Sequence, residues 1–460
     1  MKSGVRKVSK YPPISTAELL EILATTIKYD DDNKLIAFLA MLSAYTEDSQ
    51  LNLSFNAPSS AGKSFIPTEI AALFPSEDVI ELGYASPTSF IHGNSEFDKE
   101  KQQYTVDLER KIIIFLDQPH SMLLEHLRTL LSHDKKEILL QVTDKSQKHG
   151  LKTKKVILRG YPAVVFCTAG LQLDEQEATR FLLLSPEISQ EKLHAGVVES
   201  LRKDADKEAY WNHMEINPPR QRLRGRIEAI KTEDVSNIRI TDDDRDYIEK
   251  RFFSKRPVLK PRHQRDIKRL VSLIKIFALL NLWDRKREGT GILATKHDVD
   301  EAFEIWDRIA IPQELNIPPY VYRLYEDVIL ASYKEKNAGN MKQMIGVSRQ
   351  EVMDKHYEVN GRYLNALVLR QQIIPMLKQA GLISEEFDIV DRRNKLIYPH
   401  LTINNSESGG GLKKEVSHSD FNSMMKDMHE ENHSEVINKE LETVTNIFGG
   451  GELLNEGTNL

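Results

Sequence analysis

Hydrophobic positions change period along this 460-residue chain, and the changes mark out its parts. Residues 14–47 carry a helical spacing. Thr16 is placed to cap Ala17–Leu23, and Asp31 and Asp32 precede the apolar run Leu35–Leu42. The period then shortens. Leu51, Leu53 and Phe55 form a strand that leads into a small-residue loop, and Phe65, Ile66, Ile70, Ala71 and Leu73 resume helical spacing. Val79–Leu82, Ile112–Leu116, Ala163–Thr168 and Phe181–Leu184 read as further strands. Continuous apolar runs of this kind belong to a parallel sheet buried on both faces. Ile138–Val142 and Lys155–Arg159, joined by the polar connector Thr143–Lys154 with Gly150 in it, predict an extended β-hairpin.

Beyond residue 187 the pattern is helical and charged, broken at Pro218-Pro219, then strongly apolar over Leu273–Leu280. Thr295 caps a further helix. A third unit follows: Val321–Lys334 as a helix, Ser348 with Glu351 as a capping box, and Leu364–Ala380 as a helix that Pro375 kinks or splits. Phe387–Val390 and Lys395–Tyr398 flank a tight turn at Asp391–Asn394. These segments predict an α/β fold with domains at 49–190, 191–312 and 318–403, a helical lead-in at 1–48, and a disordered tail at 404–460.

The loop between the first strand and its helix reads Ala57-Pro58-Ser59-Ser60-Ala61-Gly62-Lys63-Ser64. Strand, small-residue loop and helix in that order cradle phosphates on successive backbone N–H groups. Lys63 reaches the β- and γ-phosphates of a nucleoside triphosphate such as ATP, and the Ser64 hydroxyl serves Mg²⁺. Ala57 stands where the usual pattern has a glycine. Asp117 ends a buried strand at the same sheet edge, where a carboxylate joins Ser64 at the metal. The next residue is Gln118, which orients a water and takes no proton from it; Glu81 and Glu125 are alternative bases. Thr168, at another strand end, is placed to feel the γ-phosphate.

Charge alters the picture. The net charge is −6, yet residues 404–460 hold eleven Asp/Glu against four Lys/Arg, which leaves +1 for residues 1–403. From Lys145 to Arg159 the chain carries Lys145, Lys148, Lys152, Lys154, Lys155 and Arg159 with His149 and no acid. A hairpin tipped by Lys148 and His149 suits contact with successive nucleic-acid phosphates; a merely solvated hairpin is the bland alternative. A single cysteine, Cys167, excludes an internal disulfide and a cysteine-based zinc site and fits a reducing cytoplasm. No apolar run reaches the ~18 residues of a membrane helix, and no secretory leader is visible.

The series Ala57–Ser64, Asp117, basic hairpin, Thr168 and Arg180-Phe181 resembles the AAA+ ATPases, and more narrowly the helicase branch that includes MCM, viral superfamily 3 and the MCM-like helicases of mobile elements. The resemblance covers residues 50–310. It implies a three-layer core with a helical lid and a hexameric ring whose pore carries the hairpin against single-stranded DNA. Arg180 would be handed to the neighbouring subunit's nucleotide. Arg262, Arg265 or Lys268 would be the lid's nucleotide sensor, with the choice open. The third unit resembles a winged helix, in which Arg362, Arg370 or Lys378 on its helix and Arg392 and Arg393 on its wing would meet DNA; such modules also dock proteins. A nucleotide switch without vigorous turnover and a small-molecule kinase are the rival readings.

Overall fold

The computed structural model describes residues 11–58, 61–83, 86, 95–101, 103–144, 152–169, 179–338, 344–388 and 391–400. Ser59, Ser60, Lys145, Lys148, His149 and the tail lie outside the described residues, which all fall within Met1–Leu401. The protein is α/β, built on a five-stranded all-parallel sheet. Its strands are β1 (Leu53–Asn56), β2 (Val79–Leu82), β5 (Ile112–Phe115), β8 (Ala163–Thr168) and β9 (Leu182–Leu184), in the order β2-β5-β8-β1-β9. β1, β5, β8 and β9 are buried at every position, which is why β5, β8 and β9 read as nearly continuous apolar runs; β1 buries Ser54 and Asn56 through hydrogen bonds.

Helices cover both faces. On one side α1 (Thr16–Leu23), α2 (Asp31–Leu42) and α3 (Phe65–Ala71) share a core with Leu53, Phe55, Ile112 and Val165. α2 is apolar all round from Leu35 to Leu42 and is buried throughout that run, as a helix inside a core must be. Its buried Lys34 is satisfied by the carbonyls of Ile27 and Tyr29 at 3.3 and 3.1 Å. Ser15, rather than Thr16, caps α1, accepting the Glu18 N–H at 3.1 Å; Thr16 is the first helical residue and donates to Glu301. On the other face α4 (Ser121–Leu131) packs Leu123, Leu124, Leu127 and Leu130 against Ile113, Phe115, Val164 and Phe166.

The predicted hairpin is present as β6 (Glu137–Asp144) and β7 (Lys152–Arg159), antiparallel with Ile138 opposite Leu158 and Leu140 opposite Val156. It is one half of a four-stranded sheet. β3 (Glu96–Asp98) and β4 (Gln103–Asp107), which no apolar run in the sequence announces, complete it in the order β3-β4-β7-β6. The face bearing Tyr104, Val106, Ile138, Leu140, Val156 and Leu158 packs on the α4 core.

Downstream, α5 (Gln190–Ala205), α6 (Lys207–Ile216) and α7 (Pro218–Glu233) are capped by Ser189, Asp206 and Asn217. The Pro218-Pro219 break is thus the first turn of α7, where missing N–H groups cost nothing. α8 (Asp242–Ser254), α9 (His263–Leu280) and α10 (Lys296–Leu315) follow; Thr295 and Asp298 form the capping box of α10. A small sheet of Ile238–Arg239, Gly291–Leu293 and Arg287–Glu288 lies among them.

The last region has its own core of Val321, Leu324, Val328, Val352, Leu369, Ile373, Leu377 and Ile397. Ser348 and Glu351 close their capping box. Pro375 follows a π-helical turn at Leu369–Ile373, the local accommodation of a missing donor inside a helix. The terminal hairpin pairs Ile383–Phe387 with Lys395–Pro399, so its first strand begins four residues earlier than the sequence pattern suggested. Val347–Ser348 adds a third strand to it.

Candidate functional site at the strand ends

In a parallel sheet every strand ends at the same edge, and here that edge gathers the candidate residues. Phe55 pairs with Cys167 and Asn56 with Thr168, so β1 and β8 finish level, and Phe115 of β5 lies in register with Phe166. Ala57 is buried and its N–H reaches the Thr168 carbonyl at 3.3 Å, prolonging the ladder by one residue. Its φ is negative, so this position makes no demand for glycine; the demand falls on Gly62, at φ +85°. Ile66 N–H reaches Gly62 O at 3.4 Å and Thr68 N–H reaches Ser64 O at 3.2 Å, closing the first turn of α3. The N–H groups ahead of that turn have no helical carbonyl to meet.

Lys63 is half-buried, while Ser64, Asp117 and Gln118 are exposed. The Cys167 thiol donates to the Lys63 carbonyl at 3.2 Å, which ties β8 to the loop. Burial pushes that thiol up to about 12, the Lys63 ammonium pulls it down and the Asp117 carboxylate pushes it up, so both charges stand close to Cys167. The thiol is a packing and hydrogen-bonding group, not a nucleophile. Thr168 donates its hydroxyl to Gln118 Oε1 at 2.9 Å, and Gln118 N–H meets Asp117 Oδ1 at 2.8 Å. Asn56 is buttressed from below: Ser185 Oγ donates to its carbonyl at 2.7 Å, and Ser54 Oγ donates to its Oδ1 at 2.6 Å.

These residues fit a triphosphate with Mg²⁺. Ser64 and Asp117 offer a hydroxyl and one carboxylate, the donor set with which a protein shares a hydrated Mg²⁺ with substrate phosphates. A cleft of about 1300 Å³ opens beside the loop, lined by Pro58, Ala61, Gly62 and Phe65 and by Thr26 and Tyr363 across it.

Arg180 is elsewhere. β9 starts with Leu182, whose N–H meets Asn52 O ahead of β1, so Arg180 lies at the opposite edge of the sheet. A four-residue strand separates it from the loop, about 13 Å at ~3.3 Å per residue. Its Nε donates to Ser132 Oγ at 3.0 Å, just past α4. Three of the arginines of α9 and its cap crowd the same region. Arg265 donates to Thr179 Oγ1, and buried Arg269 donates to the Thr179 and Phe181 carbonyls at 2.8 and 3.0 Å. Burial lowers the Arg269 guanidinium to about 10, with Arg262 and Arg265 adding to the shift and Asp266 opposing it; it stays charged at neutral pH. Arg262 donates through Nη1 to Asn316 at 2.9 Å and pairs with Asp266 at 3.4 Å, while its Nε and Nη2 are buried without a hydrogen-bond partner among the described residues; exposed Lys268 stands near His133.

Two of the basic candidates are spoken for. Arg159 is paired with Asp107 at 2.7 Å, and Arg393 is held by Asp391 at 2.9 Å, whereas Arg392 is exposed at the turn. Lys154 lies 5.2 Å from the Tyr104 ring centre, and Lys155 is exposed on the other face of the sheet. No helix among the described residues is long and apolar enough to cross a membrane. The Ser185 and Cys167 supports were invisible to motif reading because each acts through a backbone carbonyl. No family model matches the chain, and no curated protein matches it.

Proposed function

We propose that this chain is an AAA+-type ATPase that assembles into a ring, a hexamer, and moves on DNA as a cytoplasmic replication helicase of a mobile element. The observation that carries the reading is the convergence of the 57–64 loop, Asp117, Gln118 and Thr168 at one edge of a parallel sheet, with Arg180 at the other. In this reading the loop cradles the phosphates and Lys63 bridges the β- and γ-groups. Ser64 and Asp117 hold Mg²⁺, which neutralises charge on the phosphate oxygens. Gln118 positions the attacking water, whose proton passes to a phosphate oxygen, because an amide cannot take it.

Arg180, a strand length from its own loop, acts on the nucleotide of the next subunit, with Arg265 and Lys268 beside it. Residues 191–312 serve as the lid and 318–403 as a winged helix. The antiparallel terminal hairpin after capped helices supports the latter. Lys145, Lys148, His149, Lys152 and Lys154 face single-stranded DNA in the pore, and Arg392 meets duplex.

One observation favours a second reading, a slowly hydrolysing switch that acts as an initiator, loader or DNA-binding regulator. Gln118 supplies no base, and its carbonyl is already engaged by Thr168. ATPase rates of the wild type and Gln118→Glu, with and without single-stranded DNA, separate the two. The motor predicts DNA stimulation of the wild type; the switch predicts a low rate indifferent to DNA that Gln118→Glu raises about 10²-fold, the usual worth of a general base. Rates that respond neither to DNA nor to the substitution contradict both.

A further inference from the structure

Outside the strand-end site, the four-stranded sheet carries a feature that a positively charged hairpin does not explain. Phe97 of the edge strand β3 stands directly opposite Tyr104 of β4, their ring centroids 4.9 Å apart and their planes at 48°. Tyr104 is anchored in the α4 core, whereas Phe97 is left 46 % exposed at the rim. Lys154 of β7 holds its ammonium 5.2 Å from the Tyr104 ring centre. A large aromatic face left in water beside cations carries an energetic cost that a ligand with its own π-face removes.

We propose that Phe97 and Tyr104, with Lys154 beside them, form a stacking platform for the unpaired bases of single-stranded DNA. This rests on the DNA-translocating reading and deepens it, since the hairpin cations alone would engage only backbone phosphates. A nucleobase lies over the exposed Phe97 ring while the phosphates that flank it fall toward Lys154 on the same face. Stacking of this kind is sequence-tolerant, because every base has a π-face. It favours single strands over duplex, whose bases are already stacked.

The test uses the full-length protein and an oligodeoxynucleotide bearing 2-aminopurine, titrated over a range of salt. Wild type is expected to quench the 2-aminopurine on binding. Phe97→Ala is expected to abolish the quench and weaken single-strand binding by roughly five- to a hundredfold, the range of one lost base–aromatic stack. The salt slope stays unchanged, because no phosphate contact is lost. Lys154→Ala, by contrast, lowers that slope by about 0.7 and keeps the quench, since the Phe97 ring remains.

Phe97→Trp restores both affinity and quench, which separates stacking from any loss of fold. Wild-type affinity and quench in Phe97→Ala would overturn the platform while leaving DNA translocation standing. Equal losses on duplex and single strand would overturn it too, as would failure of Phe97→Trp to restore binding. Absence of single-strand binding by the wild type would sink both the platform and the reading it rests on.

Discussion

The two edges of the central sheet treat polar groups in opposite ways. At the edge where β1, β5 and β8 end, Lys63, Ser64 and Asp117 form no ion pair among the described residues, and the chain uses only backbone carbonyls and short side chains to hold them in place. At the edge where β9 begins, arginines are consumed internally: Arg269 serves two carbonyls, Arg265 a threonine and Arg180 a serine. A chain that leaves charge unspent at one edge and binds it tightly at the other is prepared for a ligand at the first. In the proposed ring, the Ser132 contact at the second edge would hold Arg180 in place for the neighbouring subunit.

That contrast is open to attack in order of size. Arg180→Ala is expected to reduce ATP turnover about 10³-fold while nucleotide binding, followed with a fluorescent analogue, stays intact. Lys63→Ala is expected to lose binding. Mixing the two inactive variants recovers turnover only if sites are shared between chains, so a mixture as inactive as its parts refutes the shared site. Next, Arg269→Ala is expected to cost about 2–4 kcal/mol in urea unfolding, because it strands the carbonyls of Thr179 and Phe181 and leaves the Asp266 carboxylate to Arg262 alone. A loss under 1 kcal/mol would mean that the second edge is looser than its hydrogen bonds suggest.

The smallest effect concerns Cys167. Its thiol titrates near 9 when unfolded and is pushed to about 12 in the fold, chiefly by burial. The unfolded chain therefore loses a proton that the folded chain keeps, and the stability contributed by this group is present below pH 9 and lost as pH rises toward 12. Alkylation of the native protein at pH 8.5 is expected to be much slower than after unfolding. Cys167→Val is expected to flatten the fall in urea midpoint between pH 8 and pH 10.

The strand and helix on either side of the Gly62-Lys63-Ser64 loop, the other sheet strands and the hairpin were legible because each carries a period or a compact motif. Ser348/Glu351 and Thr295 were legible for the same reason: a cap is a local event. The strands Glu96–Asp98, Ile238–Arg239 and Arg287–Glu288 were not, since two or three residues cannot display a period and they exist only through their partners. Ser15 displaced Thr16 as the first cap because the α1 backbone begins one residue earlier, with Thr16 drawn to Glu301 far along the chain.

The sequence by itself determined that a small-residue loop ending in Gly62-Lys63-Ser64 sits between a strand and a helix, that an acid follows a second buried strand, and that a hairpin rich in lysine interrupts the series. All of these are contiguous in the chain, and local sterics and alternation suffice to specify them. Only the tertiary structure decided which residues stand together. Parallel register brings Asn56 level with Thr168 across more than a hundred residues and turns Gln118 toward the Thr168 hydroxyl. The same register carries Arg180 to the far edge of the sheet. Cross-strand pairing sets Phe97 against Tyr104. The physical reason is that long-range pairing is selected by the burial of whole faces, a property that no single segment contains.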